Sequence, residues 1–154
     1  MKKFAISLII ALLVFNVTGC GSSSSEQSST NDKPSEANMY LKINDVTINV
    51  AWEDNESVNA LKKLVQAKDL AINMSRYGGF EQVGSLGQSL PRNDVQTTTS
   101  AGDIMLYSGN QIVIFYGSNT WAYTKLGKVT DKTADELTEL LSQADVTLTL
   151  LTEK

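Results

Sequence analysis

The sequence predicts a mainly β domain, a closed barrel or a sandwich, with two helices placed to plug the open ends of a barrel. Three observations carry this. Short apolar stretches, several alternating apolar and polar with period two, recur between Met39 and Leu150 and mark about eight strands. Glycine, asparagine and aspartate turn signals separate them. Only two stretches switch to helical spacing, one near each end of the domain.

Met39–Ile43 is a first strand, Asn44-Asp45 a turn, and Val46–Trp52 an alternating strand that returns on the first as a hairpin. Asp54-Asn55 supplies a helix N-cap. Val58, Leu61, Leu64 and Val65 then share one face, and this helix ends near Ala67-Lys68. Asp69–Ser75 alternates again. From Tyr77 to Pro91 the glycines at 78, 79, 84 and 87 argue against regular structure, and the spacing of Phe80, Val83 and Leu86 favours an ordered loop. Asp94–Thr98 is a short strand and Ser100–Asp103 a turn. Ile104–Tyr107 and Ile112–Tyr116 flank Ser108–Gln111 as a central hairpin, apolar on both faces. Trp121–Val129 is a further strand. Thr133 to Glu136 spells a capping box, with Leu137, Leu140 and Leu141 on the apolar face of the helix it opens. Asp145–Leu150 alternates strictly and closes the domain.

Composition excludes much chemistry. The 154 residues contain no histidine and one cysteine, so histidine bases, histidine metal ligands and disulfides are ruled out. Net charge is −4, which disfavours nucleic acid as a partner. The acidic residues show no EF-hand spacing, and Gly78-Gly79 lacks the lysine of a phosphate loop. No metal or cofactor is expected.

Met1-Lys2-Lys3 precedes an apolar run from Phe4 to Val17, too short for a membrane span and built like a secretion signal. It ends Val17-Thr18-Gly19-Cys20, which resembles the lipobox of bacterial lipoproteins. The expected organisation is a signal peptide over 1–19, a lipidated Cys20 with a disordered serine-rich tether over 20–38, and a folded domain over 39–154. Such a protein sits on the extracytoplasmic face of the cell membrane, held by its lipid. Without Lys2 and Lys3 the 13 basic residues become 11 against 17 acidic, a net of −6.

Within the domain, several motifs stand in order: Asn73-Met74-Ser75-Arg76-Tyr77-Gly78-Gly79-Phe80-Glu81, Leu90-Pro91, Gly102-Asp103-Ile104-Met105-Leu106-Tyr107, Gly109-Asn110-Gln111, Phe115-Tyr116-Gly117 and Leu126-Gly127-Lys128. With these, Met39 to Leu151 resembles the small bacterial cyclophilin-like domain family, a shortened relative of cyclophilin. The resemblance implies a closed eight-stranded β-barrel with two capping helices. True cyclophilins are prolyl cis–trans isomerases whose groove combines an arginine, a glutamine, aromatic and apolar residues, a tryptophan and a histidine. Here Gly109-Asn110-Gln111, Trp121 and Gly127-Lys128-Val129 resemble parts of that pattern, and the histidine is missing.

An isomerase of that kind needs an apolar cleft and a cationic donor that strengthens as the prolyl bond twists. Arg76 is the candidate catalytic donor, with an ordinary solvated or Glu81-paired arginine as the competing reading. The candidate ligand contacts are Tyr77, Phe80, Gln96, Gln111, Phe115 and Trp121. Phe115 lies in an apolar strand and reads first as core, whereas Tyr77, Phe80 and Trp121 sit at loops or strand starts. The glutamines serve equally to satisfy turns. Tyr107 and Tyr116 read as cross-strand packing partners. The expectation is a lipid-anchored domain that binds a peptide, protein or small ligand without catalysis. The alternative is a weak prolyl isomerase acting on exported proteins, and a third reading is a purely structural module.

Overall fold

A computed structural model describes residues 38–152. The signal peptide, Cys20 and all of the tether but Asn38 lie outside the described residues. Ten strand segments and two helices follow one another: β1 Met39–Ile43, β2 Val46–Ile48, β3 Val50–Trp52, α1 Glu56–Ala67, β4 Leu70–Tyr77, β5 Glu81–Ser85, β6 Val95–Thr98, β7 Asp103–Tyr107, β8 Gln111–Phe115, β9 Thr120–Val129, α2 Ala134–Leu141 and β10 Val146–Thr152.

The expected strand Val46–Trp52 is split at Asn49, and that split closes the barrel. Its first half pairs with β1 and its second with β9. The sheet order runs β2-β1-β10-β4-β5-β8-β7-β9-β3, so its two ends belong to one bent strand. Counting β2 and β3 together, eight antiparallel strands ring the interior, and β6 adds a ninth outside the ring by pairing with the start of β9.

One element departs from expectation. Glu81–Ser85 is a strand within the stretch predicted to be a loop. The glycines that argued against a strand serve one. Gly78 and Gly79, at φ +59° and +74°, make the tight β4–β5 turn. Gly84 faces the interior, where a Cβ would meet Ile72 Cγ2 and Met74 Sδ at 2.5 Å.

Side chains alternate cleanly. Ile72, Met74, Ile104, Leu106, Ile112 and Ile114 point inward and join Val58, Leu61 and Val65 of α1 and Leu137 and Leu141 of α2 in one core. Both helices begin as the sequence predicts. Asn55 accepts from Val58 N at 2.9 Å, and Thr133 and Glu136 form a reciprocal capping box. Asn55 also donates from Nδ2 to Lys125 O at 2.9 Å, tying α1 to β9. Asn55→Ala is therefore expected to cost about 1–2 kcal/mol in urea unfolding, above the usual cap loss. A loss under about 0.5 kcal/mol would show that the tie to β9 adds nothing.

Candidate functional site

The alternation that fills the barrel leaves a second set of side chains on the outside of β4, β5, β8, β7 and β9. Tyr77, Glu81 and Phe115 are register neighbours across β4, β5 and β8. Val83, Val113 and Met105 form the next row, and Ser85, Gln111 and Tyr107 the third. An outer face of a sheet usually meets water. Here Met105, Val113, Phe115 and Tyr123 are buried as a second apolar cluster, with Phe80, Val83 and Tyr107 packed against it. Tyr123 provides much of the cover. Its ring meets Phe115 edge-on at 5.6 Å and Tyr107 at 6.0 Å, and its hydroxyl accepts from Asn119 Nδ2 at 3.0 Å.

Glu81 lies beside this cluster. It is 5 % exposed, and its Oε2 is buried without a hydrogen-bond partner. Burial raises its carboxyl from 4.5 to about 7. The Tyr123 phenol is also pushed above its ordinary value, by burial first and by the Glu81 charge second. A carboxyl with an orphaned oxygen costs about 1–3 kcal/mol unless something donates to it. The cations near this face are engaged elsewhere. Lys128 bonds Asp103 at 3.0 Å, and Lys125 bonds Glu53 at 2.8 Å.

Phe80 is held firmly. Its carbonyl accepts from both Tyr116 N and Gly117 N at 2.9 Å, and its side chain fills space that a Cβ on Gly78 or Gly117 would need. Tyr77 packs edge-on against it at 6.4 Å yet is 65 % exposed. The site therefore has one wedged aromatic wall and one exposed to solvent.

The structure brings Tyr77, Phe80, Gln111 and Phe115 onto this one face. Phe115 is fully buried there, so it is a core residue of the outer cluster rather than of the barrel interior. Trp121 is 56 % exposed on the adjoining β6–β9 ribbon, two residues from Tyr123 on the same side of β9. Gln96 opposes Ala122 on that ribbon and so faces away from Trp121. Arg76 is placed elsewhere too. It opposes Gln82, in the inward-facing series of Ile72 and Met74, and its Nη1 donates to Ser142 O at 3.1 Å at the end of α2. Gln82 supports the same helix end, donating to Leu141 O at 2.6 Å. The cross-strand pairing expected of Tyr107 and Tyr116 is not seen: Tyr107 meets Tyr123, and Tyr116 points into the main core.

Sequence reasoning passed over Glu81 and Tyr123 as site residues. The available signal was the run Phe80–Ser85, in which Glu81, Val83 and Ser85 fall on one side once it is read as a strand.

A concave space lies next to this face. A cavity of about 530 Å³ at the start of α1 is lined by Glu53, Asn55, Ser57, Arg92, Val95 and Tyr123, among others. Its polar groups hold the fold: Ser57 Oγ donates to Pro91 O at 2.7 Å, and Arg92 pairs with Asp94 at 3.3 Å. Tyr123 borders both the cavity and the Glu81 cluster. Among the described residues no three carboxylates or thiols converge as a metal site, and no helix is long and apolar enough to cross a membrane.

Residues 41–150 match the cyclophilin-like family. Among solved structures, McbB in complex with tryptophan has the same fold, with a TM-score of 0.55 at 12% sequence identity. The match covers 74% of this chain and 44% of that one, so the chain spans less than half of that neighbour. No curated protein matches the sequence.

Proposed function

The chain belongs to the cyclophilin-like family, and on that premise we propose that it is an extracytoplasmic lipoprotein, anchored through Cys20, whose barrel binds a peptide or small ligand on its outer face. The observation that carries the binding reading is Glu81. An acceptor atom is buried without a partner beside an aromatic cluster, with the exposed Tyr77 as its register neighbour. A group of that kind is stabilised by a donor arriving from outside. The exposed aromatics Tyr77 and Trp121 extend the surface available to an incoming chain.

The isomerase alternative needs a cation on this face. Arg76 donates to Ser142 O, and the buried polar group beside the cluster is a carboxyl. In a proline-peptide isomerisation assay, the full chain is expected to give no acceleration above background, and Arg76→Ala no change. Turnover that disappears in Arg76→Ala would overturn the binding-only reading. Because Arg76 is exposed and makes one hydrogen bond, its removal is expected to cost less than about 1 kcal/mol of stability.

The anchor rests on the leader and on Cys20 as the sole cysteine. Expressed in a bacterium, the wild-type protein is expected in the membrane fraction with a diacylglyceryl mass on Cys20. Cys20→Ala should keep its uncleaved leader and carry no lipid mass. An unmodified Cys20 in the mature protein would sink this part.

A further inference from the structure

We propose that the outer-face site is a receptor for an organic cation, a primary ammonium or guanidinium group that enters beside Tyr77 and bonds Glu81. The inference rests on the binding reading above and adds the ligand's chemical class.

Three features select a cation over a neutral or anionic group. First, the acceptor is a carboxyl with a buried, partnerless oxygen, so a charged donor bonds it more strongly than a neutral one. Second, the surroundings are aromatic. Tyr77 is the register neighbour of Glu81 on one side and Phe115 on the other, with Phe80 adjacent in sequence. Ring faces carry negative charge density and attract cations. Third, among the described residues no cation bonds the buried oxygen. Lys125 and Lys128 are paired with Glu53 and Asp103, and Arg76 faces the other way. An anion would meet the Glu81 carboxyl itself.

The two aromatic walls differ. Phe80 is wedged between Gly78 and Gly117, whereas the Tyr77 ring, beside Glu81 in the register, is mostly in solvent. A cation arriving on the Tyr77 side meets an exposed ring next to the carboxyl.

Protonation is part of the recognition. Of the ionisable groups on this face, Tyr77 on β4 is the register neighbour of Glu81 and Tyr123 on β9 feels its charge, while Asp103 on β7 is paired with Lys128. With the Glu81 carboxyl raised to about 7, a cation binds the ionised form and expels a proton from the protonated one. Affinity should be flat above pH 7 and fall about tenfold per pH unit below it.

The test titrates the full chain with three probes: tryptamine, its uncharged analogue tryptophol, and acetyl-Gly-Lys-Gly-amide as a peptide-borne ammonium. Amide shifts at Glu81, Phe115 and Tyr123 report the site. Calorimetry at pH 6.5 in two buffers of different ionisation enthalpy counts protons released, and this needs no variant. We expect one of the ammonium probes to bind at least tenfold more tightly than tryptophol, to release protons at pH 6.5, and to lose that preference in Glu81→Gln. Whether tryptamine or the peptide wins tells a free amine from a side chain of a protein. Equal binding of tryptophol and tryptamine, with no proton release, overturns the cation receptor and leaves the ligand-binding face standing. No shift at these residues with any probe overturns both.

Discussion

Phe115→Ala is expected to destabilise the domain by about 3–5 kcal/mol, the usual range for emptying a buried aromatic site. Phe115 is fully buried on the outer face of the sheet: Tyr123 packs edge-on against it, and Glu81 is its register neighbour. A domain of this size has about 5–15 kcal/mol in total, so the variant should remain folded with a much lower urea midpoint. The loss should carry a second signature. Removing the ring admits water to Glu81, and the carboxyl returns toward its ordinary range because burial is what raised it. The pH dependence of stability should therefore flatten in Phe115→Ala. A loss under about 1.5 kcal/mol would mean that the outer cluster is not a true second core. An unchanged pH profile would separate Glu81 from it.

Glu81→Gln is expected to stabilise the ligand-free protein at pH 8 by about 1–2 kcal/mol, against the trend for most substitutions. The folded carboxyl titrates near 7 and the unfolded one near 4.5. Below about pH 4.5 both states hold the proton and Glu81 contributes nothing. Between 4.5 and 7 the folded state keeps a proton that the unfolded state has released, so stability falls as pH rises. Above 7 the cost is complete, on the order of 3 kcal/mol. Glutamine removes the ionisation and leaves a buried amide to satisfy, which is why the gain is smaller than that cost. Thermal unfolding of both proteins from pH 4 to pH 8 reads this directly. The curves should converge at the acid end and separate toward neutrality. A wild type that gains stability from pH 5 to pH 8, with Glu81→Gln gaining in parallel, would contradict the buried, partnerless carboxyl.

Much of the fold was legible in the sequence because its signals are local. Alternation placed β1, β4 and β10, the paired apolar stretches around Ser108–Gln111 placed β7 and β8, and both helix starts were written in their caps. β5 was not legible. Four glycines between Tyr77 and Pro91 looked like a loop, and Gly84 is a strand residue only because Ile72 and Met74 of the neighbouring strand crowd it. The break at Asn49, which lets one strand serve both edges of the sheet, likewise depends on partners far along the chain.

For the site, the sequence supplied the aromatic residues but not their grouping. Which side of a strand a residue takes depends on register, and one position separates Tyr77 on the outer face from Arg76 at the end of α2. In the sequence Glu81 reads only as a partner for Arg76. Phe115, the register neighbour of Glu81, and Tyr123, whose phenol the Glu81 charge pushes up, stand 34 and 42 residues further along the chain. By itself the sequence determined the absence of histidine chemistry, the cyclophilin-like barrel and the elements that build it. The tertiary structure alone decided that a carboxyl, and not the arginine, lies among the aromatics, because only strand pairing brings distant side chains close enough to exclude water from a charge.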